Sequence, residues 1–183
     1  MRLLLMTNKD PFTSDYLRAV ASSWLRYEKG CVMISFERGL DLRNPDILGV
    51  TKDLKTIEIE IKVSFGDFQN DWKKRPRRHT PNQMYYMVHP KILQKVKDSN
   101  LLTTQGLLSI NPKSDIIHHW TNLHILYLHK AAKVTHKGKL KLHQLATLVK
   151  AQSGTLVKMA INNVHLANRT APPSNMLMGP SVL

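Results

Sequence analysis

Asp46, preceded by Pro45, stands fourteen residues before Glu60, and Glu60-Ile61-Lys62 follows as an acidic, apolar, basic triplet. The segment Thr56 to Val63 (TIEIEIKV) alternates strictly. In a strand, Ile57, Ile59, Ile61 and Val63 then face one side, and Thr56, Glu58, Glu60 and Lys62 face the other. Asp46 to Val50 (DILGV) is a second β-forming run, and Asp53-Leu54-Lys55 supplies a turn, so the two runs read as a hairpin. Antiparallel pairing sets the start of one strand opposite the end of the other. Two carboxylates and an ammonium then share one corner of a sheet. Carboxylates this close repel unless something neutralises them. Mg²⁺ or Mn²⁺ would do so, because such ions take oxygen ligands and Mg²⁺ keeps several waters. A cation there stabilises charge on a phosphorus centre and makes a water more acidic, and Lys62 adds a donor beside that water. The chemistry that fits is metal-assisted phosphodiester hydrolysis. The competing reading is an exposed antiparallel strand with an ordinary solvated polar face, on which Glu58 is a surface residue or supports the site from behind.

Pro45-Asp46…Glu60-Ile61-Lys62 resembles the signature of the PD-(D/E)XK nuclease superfamily. The run IEIEIKVSFGDFQNDWKKR (Ile57 to Arg75), then MYYMVHPKIL and GLLSI, is similar to the MmcB-like group of that superfamily, whose members are assigned to DNA repair. The resemblance covers roughly Pro11 to Ile110. It implies a restriction-endonuclease-like fold with the site at one sheet edge. It implies Asp46, Glu60 and the Ile61 carbonyl as metal ligands and Lys62 as the catalytic lysine. The products would carry a 5′-phosphate and a 3′-hydroxyl. Many members place a further Glu in the first helix. Here that place falls near Ala19, which cannot bind metal, so Glu37 and Glu28 are the candidates for an additional carboxylate. A missing carboxylate would favour a one-metal site or a weakened enzyme.

The elements that must hold these residues are legible in outline. Tyr16, Leu17, Val20, Ala21, Trp24 and Leu25 recur at helical spacing after a cap at Thr13 or Ser14, and Gly30 closes that helix. Cys31 to Phe36 (CVMISF) reads as a strand. Ser64 caps a helix to Arg75, with Phe65, Phe68 and Trp72 on its core face. Gln83 to Val88 is a strand, Pro90 to Lys97 a short helix, Gln105 to Ile110 a strand, with two more at Ile116 to Trp120 and His124 to Leu128. Lys139 to about His165 is mostly helical. The expected class is α/β: a central mixed β-sheet flanked by helices, with a C-terminal helical extension. One domain spans 1–170, and 171–183 is a loose tail.

The chain has 183 residues, 27 Lys plus Arg against 13 Asp plus Glu, and a formal charge of +14, with 42% hydrophobic residues. That composition buries a core, and the excess charge favours a polyanionic partner. Lys73, Lys74, Arg75, Arg77 and Arg78 follow the motif strand closely and suit contact with backbone phosphates. A second basic group, Lys130, Lys133, His136, Lys137, Lys139 and Lys141, either extends that surface or solubilises a loop. DNA is preferred through the resemblance, and charge alone leaves RNA open. Cys31, the single cysteine, excludes an intrachain disulfide and reads as a buried small hydrophobe. The histidines do not follow zinc spacing, and no Walker, Rossmann or nucleophile-elbow pattern occurs. With no apolar run of membrane-spanning length, the expectation is a soluble, cytoplasmic protein without a membrane partner. Many superfamily members dimerise, so a homodimer is compatible, although no interface is readable. The alternative function is a catalytically weak or inactive nucleic-acid-binding protein on a nuclease-like fold.

Overall fold

A computed structural model describes residues 10–37, 44–73, 81–111, 126–150 and 152–153. The chain divides into two compact units, Met1–Leu148 and Val149–Leu183. The first carries the sheet. Of the second, residues 149, 150, 152 and 153 are described and are helical. The expected tail 171–183 lies outside the described residues.

Helix α1, Ser14–Tyr27, starts where the Thr13 hydroxyl accepts the Tyr16 amide at 3.2 Å. Leu17, Val20, Ala21, Trp24 and Leu25 form its buried face. The chain leaves it through Gly30, whose φ of +63° suits a residue without a Cβ. Six strands follow: β1 Cys31–Phe36, β2 Ile47–Thr51, β3 Thr56–Lys62, β4 Gln83–Val88, β5 Gly106–Ile110 and β6 Leu126–Lys130. They form one mixed sheet in the order β1-β2-β3-β4-β5-β6. β1, β2 and β3 are successive antiparallel neighbours, β3, β4 and β5 are parallel, and β6 returns antiparallel to β5. Parallel neighbours require crossovers. Helix α2, Phe65–Lys73, joins β3 to β4, and a 3-10 turn at Pro90–Ile92 with helix α3, Leu93–Asp98, joins β4 to β5.

Both faces of the sheet are covered. On one, α1 packs on Ile57, Ile59, Ile61, Tyr85, Met87, Leu108 and Ile110, with the Trp24 and Tyr85 rings edge to face at 5.0 Å. On the other, Phe68 of α2 and Val96 of α3 cover Met84, Tyr86, Val88 and Leu107. Farther along that face, Leu140 and Leu148 cover Leu48 and Val50 of β2. Each such side chain, fully buried, contributes about 1.5–3 kcal/mol. The α/β class with a central mixed sheet is therefore the observed architecture.

Three details depart from the sequence reading. β3 is a central strand, not the exposed strand of the competing reading, so Glu58 and Lys62 are buried. Val63, expected to continue the apolar face, lies past the strand and is exposed. β6 runs on to Lys130, two residues past the expected end at Leu128, and the expected start at His124 lies outside the described residues. The expected strand Ile116 to Trp120 lies outside the described residues.

Candidate active site

The register builds the site. Ile47 pairs with Ile59 across β2 and β3. Continuing that ladder by one residue sets Asp46 opposite Glu60. Strand pairing of β2 has run out at that point, and the Asp46 carboxylate takes over. Its Oδ2 accepts the Ile61 amide at 2.7 Å. Pro45, which precedes it, is buried and anchors the entry into β2.

Glu60 and Lys62 sit two residues apart on one face of β3, as strand geometry requires. Lys62 Nζ lies 3.3 Å from Glu60 Oε2, with side chains 8% and 12% exposed. The same ammonium lies 3.8 Å from Asp67 Oδ2 on the first turn of α2. Asp67 is placed by a local device: its amide donates to the Ser64 hydroxyl at 3.2 Å, so the helix starts directly beyond the strand. Four residues on, Asp71 accepts the hydroxyl of the buried Tyr86 at 2.8 Å. α2 thus turns Asp67 toward Lys62 of β3 and Asp71 toward Tyr86 of β4. Asp67 escaped the sequence reading, which took the Ser-x-x-Asp run as part of a likeness and a cap. An acid in the first helical turn after the strand was readable as a residue near the strand end, but not its contact with Lys62, which the packing of α2 decides.

The site lies at the C-terminal end of β3, beside the C-terminal end of β4, where open α/β sheets gather functional groups. The His89 amide donates to the Lys62 carbonyl at 2.9 Å and continues the strand pairing past β4. The buried His89 ring is fixed at both nitrogens. Nδ1 accepts the Lys91 amide at 3.0 Å, and Nε2 faces the Asp10 carboxylate at 3.1 Å. The Phe12 amide, then the His89 ring, hold the Asp10 carboxyl below the usual carboxylate range.

The structure brings Asp46, Glu60, Ile61 and Lys62 together. Glu37 follows β1 and its amide donates to the Asp46 carbonyl at 3.2 Å. Its carboxylate, however, pairs with Arg18 of α1 at 3.2 Å. Glu28 caps the C-terminal end of α1, three residues before Cys31, and Cys31 pairs with Thr51 at the end of the β1–β2 ladder away from Asp46. The helix position near Ala19 is exposed. Lys73 is exposed in the last turn of α2, and Lys74, Arg75, Arg77 and Arg78 lie outside the described residues. Among the described residues, no group of three or more His, Cys, Asp or Glu side chains is gathered as a metal centre. The donor set is therefore two carboxylates and a main-chain carbonyl. All are oxygen donors, and they suit a hard cation that keeps much of its water. Burial pushes the Cys31 thiol up to about 11, against smaller opposing effects of Arg26 and Lys29, which removes it as a nucleophile. Among the described residues no helix is long and apolar enough to cross a membrane.

No family model matches the chain, and no curated protein matches it. Among solved structures, the SPO1766 protein of unknown function from Silicibacter pomeroyi shares the fold. It matches with a TM-score of 0.56 at 18% identity, over 87% of this chain and 96% of that one. Identity this low carries the fold alone.

Proposed function

We propose that this protein is a Mg²⁺- or Mn²⁺-dependent nuclease that hydrolyses DNA phosphodiester bonds, on a restriction-endonuclease-like sheet, in DNA repair or a related form of DNA processing. One observation carries the reading. A strand buried on both faces ends in a carboxylate and an ammonium held side by side, with a second carboxylate bound to the amide between them. Asp46, Glu60 and the Ile61 carbonyl would hold the ion. Such an ion supplies charge stabilisation at phosphorus and a more acidic water. Asp46 keeps its place through the Ile61 amide, so the two carboxylates stay in register without relying on the ion. Lys62 is held by Glu60 and Asp67, and its ammonium is positioned to orient the attacking water and to meet negative charge as it develops. The basic run from Lys73 to Arg78 supplies phosphate contacts. The protein works in the cytoplasm and needs no membrane.

The test compares wild type with Glu60→Ala and Lys62→Ala on supercoiled, linear and single-stranded DNA, with Mn²⁺, Mg²⁺ or EDTA. Metal-dependent cleavage that both substitutions abolish is the expected result. Absence of cleavage by pure wild type, with unchanged DNA binding in both variants, overturns it. A second reading is favoured by the Glu37–Arg18 pair, which turns a candidate third carboxylate away: a DNA-binding protein with little catalysis. Mn²⁺ binding that depends on Glu60 separates the two, because a pure binder does not need it.

A further inference from the structure

A groove of about 330 Å³ opens between α3, the loop that follows it, and the β5–β6 pair. It lies two strands from β3. Its floor is aliphatic, made of Val96, Leu102 and Leu107. Its rim carries Lys97, His129 and Lys130, with Asn100 adding a neutral amide; among the described residues no carboxylate lines it. The basic groups come from two elements, Lys97 from α3 and the neighbouring His129 and Lys130 from β6, and the fold brings the two together. One is anchored: the Lys130 ammonium donates to the Leu102 carbonyl, which fixes the charge at the groove wall and leaves two N–H bonds for a ligand. The His129 ring lies against Tyr127, with centroids 6.1 Å apart. Nearby positive charge that no lining carboxylate offsets is costly to hold together and attracts anions. An aliphatic floor under a cationic rim asks for a ligand with one apolar body and one strongly anionic end. The volume falls at the lower limit of small-molecule sites, the size of a single nucleotide.

We propose that this groove is a nucleotide-binding site, in which a phosphate sits on Lys97, Lys130 and His129 and the nucleoside rests on the half-buried Leu102, above the core residues Val96 and Leu107. The same chemistry is offered by a free nucleoside monophosphate and by one nucleotide of a bound DNA strand. The site does not depend on the chemistry proposed at Glu60 and Lys62. His129 reports on it directly. Burial and, after it, the Lys97 charge lower its pKa. A bound phosphate sets an opposite charge beside the ring, which counters the Lys97 charge and outweighs the effect of burial, and so raises it, an adjacent opposite charge being worth about one unit or more.

The experiment follows the His129 ring protons by NMR across pH, at fixed ionic strength. The protein is taken alone, with 5′-thymidylate, with a short oligodeoxythymidylate and with inorganic phosphate. The expected result is an upward shift of about one unit with thymidylate or with the oligonucleotide, and the probe that produces it identifies the source. The shift should be smaller with phosphate, persist in Lys62→Ala, and disappear in Lys97→Gln, an exposed position where folding is not at stake. No shift with either nucleotide overturns the proposal. So does an equal shift with inorganic phosphate, or a full shift in Lys97→Gln. Because Lys62→Ala keeps this signal while losing cleavage, failure here and failure of the nuclease reading are separate results.

Discussion

β3 and β4 lie side by side in the middle of the sheet, parallel and in register from Ile57–Gln83 to Lys62–Val88. Both are covered on both faces. β4 answers with Met84, Tyr85, Tyr86, Met87 and Val88, apolar whichever way each residue points. β3 matches it on the α1 face with Ile57, Ile59 and Ile61. On the other face, where β4 sets Met84, Tyr86 and Val88, β3 sets Glu58, Glu60 and Lys62. This polar stripe runs between two apolar clusters, one under α2 and α3 and one under Leu140 and Leu148. Removing charge from water is expensive unless it is paired and hydrogen-bonded. The neighbouring strand shows that apolar residues fit the same surroundings. Charges kept where apolar residues would serve stability mark the place where stability yields to function.

Substitutions on the two strands sharpen that contrast. Glu60→Ala or Lys62→Ala should lower metal-dependent cleavage by about a thousand-fold, ~4 kcal/mol of barrier, measured as single-turnover rates on one DNA substrate. Ile59→Ala, on the opposite face of the same strand, should leave any cleavage rate of the folded fraction intact. It should instead cost about 2–5 kcal/mol of stability by urea unfolding, since Ile59 is fully buried. Gly49→Ala should cost about 1–3 kcal/mol, because a Cβ there meets Cys31 Sγ at 2.8 Å and a Leu25 methyl at 3.1 Å. The double substitution Glu60→Gln/Lys62→Met should be nearly neutral or stabilising, by up to about 1 kcal/mol, while inactive. A large destabilisation would mean the charges serve the fold, and the contrast with β4 would fail. The smallest effect belongs to Asp10→Asn. The Asp10 carboxyl is held low, so its stabilisation is present above the ordinary carboxylate pKa and fades as pH falls through the folded value. Removing it should slightly lower stability at neutral pH, where the effect is present, and leave the acid end unchanged, where it is already lost, so that the acid limb of a pH–stability profile flattens.

The hairpin, its alternation and the meeting of Asp46 with Glu60 and Lys62 were legible because period-2 patterning and antiparallel register are local properties. The central place of β3 was not. Alternation of Ile with Glu and Lys is the pattern of a half-exposed strand, and only the crossover through α2, which lays β4 against it, buries the polar side. Asp67 was hidden for a related reason, since its role depends on how far α2 folds back over Lys62. The carboxylate of Glu37 was placed near the right corner, but its partner Arg18 lies nineteen residues away on α1, a pairing no local pattern reports.

The end of the sheet remote from Lys62 is laced. The Asn82 side chain accepts the Thr56 amide at 2.6 Å and donates to the Gly138 carbonyl at 2.8 Å and to that of His136. The Lys133 amide reaches Thr104, the Thr135 amide reaches Asn82, and the Leu140 amide reaches Leu54. One amide group therefore stitches the starts of β3 and β4 to a segment more than fifty residues farther along the chain. Slow opening of this segment should occur as one unit, with the amides of Lys133, Thr135 and Leu140 exchanging with solvent deuterium together. Loss of the Asn82 carboxamide should speed all three at once while leaving β4 amides protected. The sheet is thus tied at the end remote from Lys62 by one side-chain amide, and that tie sets the spacing of its strands there.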